Sequence, residues 1–190
     1  AVMDFGMSVE DLKVWFGILA LIVVELGLIT PPLPLTNAYS QHYEALVVRP
    51  EGQIAVLGTF DVAGNSMLDL EMGVIQFDGG GSVDAGFSGD GFTSIAFDLG
   101  GDNNDRARDL ALRPDGRLLA LGDAQPGNPE RSVALLAQLT TSGAADNSFD
   151  GDGRRVDTFA DTLDADSRFA SLELDTVGRA VVAGTVASGQ

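Results

Sequence analysis

An internal repeat constrains this chain more than any other feature. Arg49, Pro50, Glu51 and Gly52 return as Arg113, Pro114, Asp115 and Gly116, displaced by 64, and in altered form as Asp175, Thr176, Val177 and Gly178, a further 62 on. Gly58 maps to Gly122 and then to Gly184 with the same two displacements. Later landmarks keep 62: Gln76 to Gln138, Gly81 to Gly143, Asp84 to Asp146, Phe87 to Phe149, and Gly89, Asp90, Gly91 to Gly151, Asp152, Gly153. The change from 64 to 62 places a two-residue insertion between Gly58 and Gln76, in the loop-like stretch DVAGNSML. A repeat of this length is one supersecondary unit that cannot bury its apolar face alone, so neighbouring units have to stack.

Each unit reads as four short strands. In the second they run over Arg108 to Arg113, Arg117 to Asp123, Ser132 to Leu139 and Arg154 to Phe159. The first two are joined by RPDG, in which Pro114 pre-sets φ at the first turn position and Gly116 accepts a positive φ. The third, SVALLAQL, is nearly continuously apolar, as a strand covered on both faces has to be. The expected fold class is therefore mainly β, an incomplete β-propeller of four-stranded repeats with about 2.4 blades, preceded by one apolar, membrane-type helix. A β-solenoid is the alternative arrangement of such repeats.

The succession R-P-D-G, a strand ending in glycine, then D-x-S-F-x-G-D-G resembles the delta-60 repeat of large bacterial surface and secreted proteins. The resemblance spans residues 43–190 and divides them into repeat 1 (43–104), repeat 2 (105–167) and a truncated repeat 3 (168–190). Unit one departs from it at Gly86, which stands where the pattern has Ser, and unit three lacks the proline. The family implies a propeller and no enzymatic chemistry. A propeller ring needs about four blades, so the unit count reads as a fragment of a longer protein.

Composition changes abruptly near residue 33. Val14 to Val24 reads VWFGILALIVV, Glu25 interrupts, and LGLIT leads to Pro31 and Pro32. At seventeen residues, Val14 to Thr30 is at the short limit for crossing a bilayer. Its flank (Asp4, Glu10, Asp11, Lys13) is net negative, unlike a secretory signal; a buried core helix is the alternative. The string VWFGILALIVVELGLITPP resembles the C-terminal part of the large permease subunit of TRAP dicarboxylate transporters; the resemblance covers about residues 3–33 of an N-terminal segment 1–33, with 34–42 as a linker to the repeats. That resemblance implies a discontinuous helix in which Thr30 is a sodium contact beside Gly27, Pro31 and Pro32. One helix cannot form an alternating-access pathway, so transport would belong to a larger assembly of which this stretch is a piece.

Charge and chemistry-bearing residues narrow the function classes. Against 28 acidic residues stand 11 basic ones, a net charge of −17, which argues against a nucleic-acid partner. There is no cysteine, hence no thiolate nucleophile or Cys-ligated metal, and the one histidine, His42, reads as a surface or capping residue at a strand start. Asp146, Ser148, Asp150, Gly151 and Asp157 fall at positions 1, 3, 5, 6 and 12 of an EF-hand-like calcium loop, yet Asp and Gly are also ordinary turn residues. Gly100 to Asp105 is a second oxygen-rich loop, and Phe87 and Phe149 read as anchors between units. No convergent acid, base and nucleophile set recurs. The expectation is a non-enzymatic binding or adhesion module for a protein or carbohydrate partner, attached to a membrane through residues 14–30 with its β repeats extracytoplasmic or secreted. A TRAP permease fragment is the alternative function.

Overall fold

The computed structural model describes residues 22–24, 27–29, 41–61, 70–99, 101–126, 132–157 and 165–188. All regular structure among them is β. Strands β3 (Gln41–Val48), β4 (Ile54–Asp61), β5 (Leu70–Phe77) and β6 (Phe92–Ile95) form one antiparallel sheet in sequence order. Strands β7 (Gly101–Leu112), β8 (Leu118–Pro126), β9 (Val133–Leu139) and β10 (Arg154–Asp157) form a second of the same order, and β11 (Ala165–Leu174) pairs with β12 (Ala180–Ser188) in a third. None of these sheets closes on itself.

The sheets pack face to face through side chains of alternating strand positions. Ala55, Leu57, Met72 and Val74 of the first sheet meet Leu110, Leu118, Ala120 and Leu135 of the second. From the opposite face of the second, Ala111, Leu119, Leu121 and Leu136 meet Phe169, Leu172 and Val182 of the third. The second sheet is thus sandwiched, which is why β9 is buried along its whole length and its sequence carries no polar alternation. The first strand of each following sheet, β7 or β11, lies against the sheet before it.

One irregularity keeps the repeat period. The ladder shifts register between Tyr43 and Ala45, between Ala107 and Asp109, and between Phe169 and Ser171. Each bulge leaves one residue unpaired and bends the strand, and each lies beside the pairing of Tyr43, Ala107 or Phe169 with Gly58, Gly122 or Gly184. There the bent strand brings a carbonyl close. A Cβ on Gly58 or Gly122 would stand 2.5 Å from the carbonyl oxygen of His42 or Arg106, and on Gly184 closer still to that of Arg168. The recurring glycine is required by this close approach.

Two expectations are corrected by the strands. Within the apolar stretch expected to be helical, Ile22–Val24 (β1) and Gly27–Ile29 (β2) pair antiparallel, Ile22 opposite Ile29. The β-branched Ile22, Val23, Val24 and Ile29, which made the segment look like a membrane span, are equally the residues whose stiff side chains favour strands. Other residues of 14–30, Thr30 among them, lie outside the described residues. Among the described residues no helix is long and apolar enough to cross a membrane. Second, the expected loop at Gly100 to Asp105 is strand from Gly101 onward. Asn104 Oδ1 accepts from the Leu70 amide at 3.1 Å and Asp105 Oδ2 from the Phe97 amide at 2.6 Å, so these side chains satisfy backbone donors at the start of β5 and just beyond β6.

Candidate functional site

The sheets have two unlike ends. At one lie the turns at 49–52, 113–116 and 175–178 and the Gly-Asp-Gly turns; at the other, the start of β3, the end of β4 and their counterparts. The sequence placed its candidate site at the first end, in the turn after β9.

That turn is built around Asp146. Its Oδ2 accepts from Gln138 Nε2 at 2.6 Å and lies 3.3 Å from Arg117 Nε, while its Oδ1 accepts from the Ser148 amide at 3.1 Å and the Ser148 hydroxyl at 2.7 Å. These donors, the Ser148 hydroxyl foremost and then Gln138, hold the Asp146 carboxyl below its ordinary range. The Asp146 backbone closes the same turn, donating to the Gln138 carbonyl and accepting from the Phe149 amide. Unit one repeats the design with fewer donors. Gln76 Nε2 donates to Asp84 Oδ2 at 2.8 Å and the Gly86 amide to Oδ1 at 2.9 Å, but Gly86 has no hydroxyl to add and Gln53 stands where Arg117 does.

The remaining residues of the calcium pattern point elsewhere. Asp150 is exposed with φ 51°, followed by Gly151 at 97°, which is a turn conformation. Asp157 lies in β10 and accepts from Arg155 through both oxygens, at 2.7 and 2.9 Å. Among the described residues no group of three or more His, Asp or Glu side chains is gathered as metal ligands are.

The same end carries a contact the sequence did not announce. Arg49 Nη1 donates to the Gly116 carbonyl at 2.9 Å, and Arg113 Nη1 to the Gly178 carbonyl at 3.0 Å. Each arginine thus reaches from its own turn to the corresponding turn of the next sheet. Arg49 is buried, 6.0 Å above the Phe87 ring, and that burial pulls its guanidinium below its ordinary range, opposed by Glu51 and Asp84. Phe87 lies against Gly143, where a Cβ would sit 2.9 Å from the ring; the seam is completed by the Ser88 amide on the Ser142 carbonyl and the Thr93 hydroxyl on the Gly143 carbonyl, both at 2.8 Å. Phe87 is therefore the anchor expected of it, and Phe149, half-buried, packs against the second cluster. The available signal for the arginine was its own 64-residue recurrence, which reads equally as part of a turn.

At the opposite end the register positions are occupied by different chemistry in each unit. His42, Arg106 and Arg168 are equivalent, as are Glu44, Arg108 and Ala170, and Thr59, Asp123 and Thr185. Arg108 Nε is bonded to Asp123 Oδ1, with the aspartate side chain only 2% exposed and the arginine 33%. Glu44 lies within electrostatic reach of both. Desolvation raises its carboxyl above the ordinary range, Arg108 and His42 oppose that, and Asp123 adds to it. Beneath them Thr59 Oγ1 accepts from the Ala107 amide at 2.9 Å, and burial pushes the Tyr43 phenol up to about 12. His42 itself is exposed in β3, one residue into the strand. This end offers exposed groups of both signs, Glu44 and Arg168 among them; at the turn end Arg49, Arg113, Asp84 and Asp146 are held by the contacts within and between the sheets.

Comparison of the chain with protein-family models, with curated proteins and with solved structures gives no match.

Proposed function

We propose that the chain is a non-enzymatic, propeller-like repeat module that binds a protein or carbohydrate partner outside the cytoplasm, through the end that carries His42, Glu44, Arg108 and Asp123. One observation carries this reading. From unit one to unit two the turn end reuses the same residues for the same contacts, Gln76 to Asp84 as Gln138 to Asp146 and Arg49 to Gly116 as Arg113 to Gly178. The opposite end changes charge at fixed register. A scaffold that repeats where it packs and varies where it meets solvent presents a surface for recognition. The propeller is the closed form that successive four-stranded sheets with this stacking would make once enough of them are joined.

The test is a glycan array and a panel of purified extracellular proteins, probed with the unaltered chain, with Glu44→Lys, and with Asp115→Ala in the opposite turn. Binding abolished by Glu44→Lys and kept by Asp115→Ala supports the proposal. Binding lost equally with both, or a ligand insensitive to either, refutes the assignment of the recognition end.

A further inference from the structure

Four buried polar atoms at the seam between the first two sheets have no hydrogen-bond partner: Nε and Nη2 of Arg49, Oε1 of Gln53 and Oε1 of Gln76. Arg49 is 7% exposed and Gln76 5%. Their other contacts bring these residues to one place. The Arg49 amide donates to the Gln53 carbonyl at 2.8 Å, closing the turn that carries both. Gln76 Nε2 donates to Asp84 Oδ2, which fixes the end of that amide left with the oxygen, and Asp84 lies within electrostatic reach of Arg49. Gln53 joins the group by register: its counterpart Arg117 places Nε 3.3 Å from Asp146, the counterpart of Asp84. The second sheet closes the group from across the seam, where the Gly116 carbonyl takes Arg49 Nη1, and the Phe87 ring lies 6.0 Å from the guanidinium.

We infer that one ordered water molecule is bound at this seam, accepting from Arg49 Nε and Nη2 and donating to Oε1 of Gln53 and of Gln76. The balance of the four atoms selects the ligand. An anion would face two amide oxygens and the Asp84 carboxylate, and a cation would face the guanidinium. A water offers two lone pairs to the two donors and two hydrogens to the two acceptors, which is the full complement of a buried water. Nε and Nη2 form one side of the planar guanidinium, with N–H bonds in a fixed fork, so a single oxygen accepts from both. The second seam accounts for the site belonging to the first. There Arg117 stands in place of Gln53, and of the atoms equivalent to these four only Arg113 Nε is buried without a partner among the described residues. A lone donor does not hold a water, which needs two to four polar partners. This goes beyond the recognition end proposed above and uses the opposite end of the sheets.

The test is nuclear magnetic resonance on the intact, nitrogen-labelled chain, reading the Arg49 Nε–H proton. A water held for longer than the molecule takes to tumble cross-relaxes with that proton as a fixed neighbour does, and this is the expected result. Gln53→Arg installs the residue that unit two already carries and takes away one acceptor; it is expected to abolish the cross-relaxation. Absence of the signal in the unaltered chain overturns the inference. So does a signal that persists in Gln53→Arg, since Gln53 would then be no partner of the water. An Arg49 side-chain resonance that titrates with added chloride overturns it as well, because an anion would then occupy the place assigned to water.

Discussion

The guanidinium of Arg49 donates to the backbone carbonyl of Gly116 in the next sheet, and Arg113 makes the same bond to Gly178. A charged donor aimed at a carbonyl across a packed interface contributes about 1.5–3 kcal/mol. Arg113→Ala is therefore expected to loosen the third sheet selectively, with faster hydrogen exchange in β11 and β12 and unchanged exchange in β4 and β5. Uniformly faster exchange throughout would show that the bond does not act at that one junction.

Glycine at the bulge and glycine in the turn should respond differently to the same substitution. A Cβ on Gly122 meets the Arg106 carbonyl and the Met72 sulfur, and neither the bulged backbone nor the packed core can withdraw freely. Gly122→Ala should cost about 1–3 kcal/mol as overpacking. Gly151 has nothing within 4 Å of such a Cβ and pays only for its φ of 97°. Gly151→Ala should then cost about 1–2 kcal/mol, the penalty for a left-handed L-residue. Denaturant midpoints for the pair measure the difference, with Gly58→Ala expected to behave as Gly122→Ala does.

The Arg108 and Asp123 pair tests how much the opposite end contributes to folding. Arg108→Ala leaves a buried carboxylate without its partner, at a cost of about 3 kcal/mol, the lower end for such a pair because the arginine keeps a third of its surface in water. Arg108→Ala with Asp123→Ala removes both charges and should recover part of that loss. A double variant as destabilised as the two single variants summed would mean that the side chains do not interact.

Two carboxyls give opposite pH signatures. Asp146 titrates below its ordinary range, so its stabilisation is present above the unfolded-chain value and is lost as pH falls through the folded one. Asp146→Asn should lower Tm at neutral pH, and the two curves should converge in acid. Glu44 titrates above its ordinary range, so ionising it opposes folding as pH rises. Glu44→Gln should raise Tm slightly at neutral pH and make no difference in acid. Because the Asp146 oxygens are already engaged by Ser148, Gln138 and Arg117, millimolar calcium is expected to leave Tm unchanged. A calcium-dependent rise would restore the cation reading of that turn.

The four-stranded units were legible in the sequence because turn chemistry and apolar runs are local signals, and they repeat. RPDG predicted the β7–β8 hairpin, and the third unit makes the same turn without its proline, since Gly178 still supplies the positive φ at 79°. The early start of β7 was not legible. Asn104 and Asp105 look like loop residues until their side chains are seen to accept from Leu70 and Phe97, residues distant along the chain or across a sheet edge. Spacing also did not announce the partners these carboxylates take, Asp146 within its own turn and Asp157 on Arg155. Nor could apolarity alone separate a helix from the paired strands at Ile22–Val24 and Gly27–Ile29.

The arginine bond between sheets is asymmetric in what it demands of the two partners. The giving half is a side chain, and one substitution removes it, as Asp175 has done in the third unit by turning inward to its own Arg179. The receiving half is a peptide carbonyl, which any residue that permits the turn supplies. Such an array has a polarity of inheritance: any unit that makes the turn can receive this bond, but only a unit that keeps its arginine can give one. Sequence drift on the receiving side leaves the bond in place, whereas on the giving side it deletes the bond from that junction.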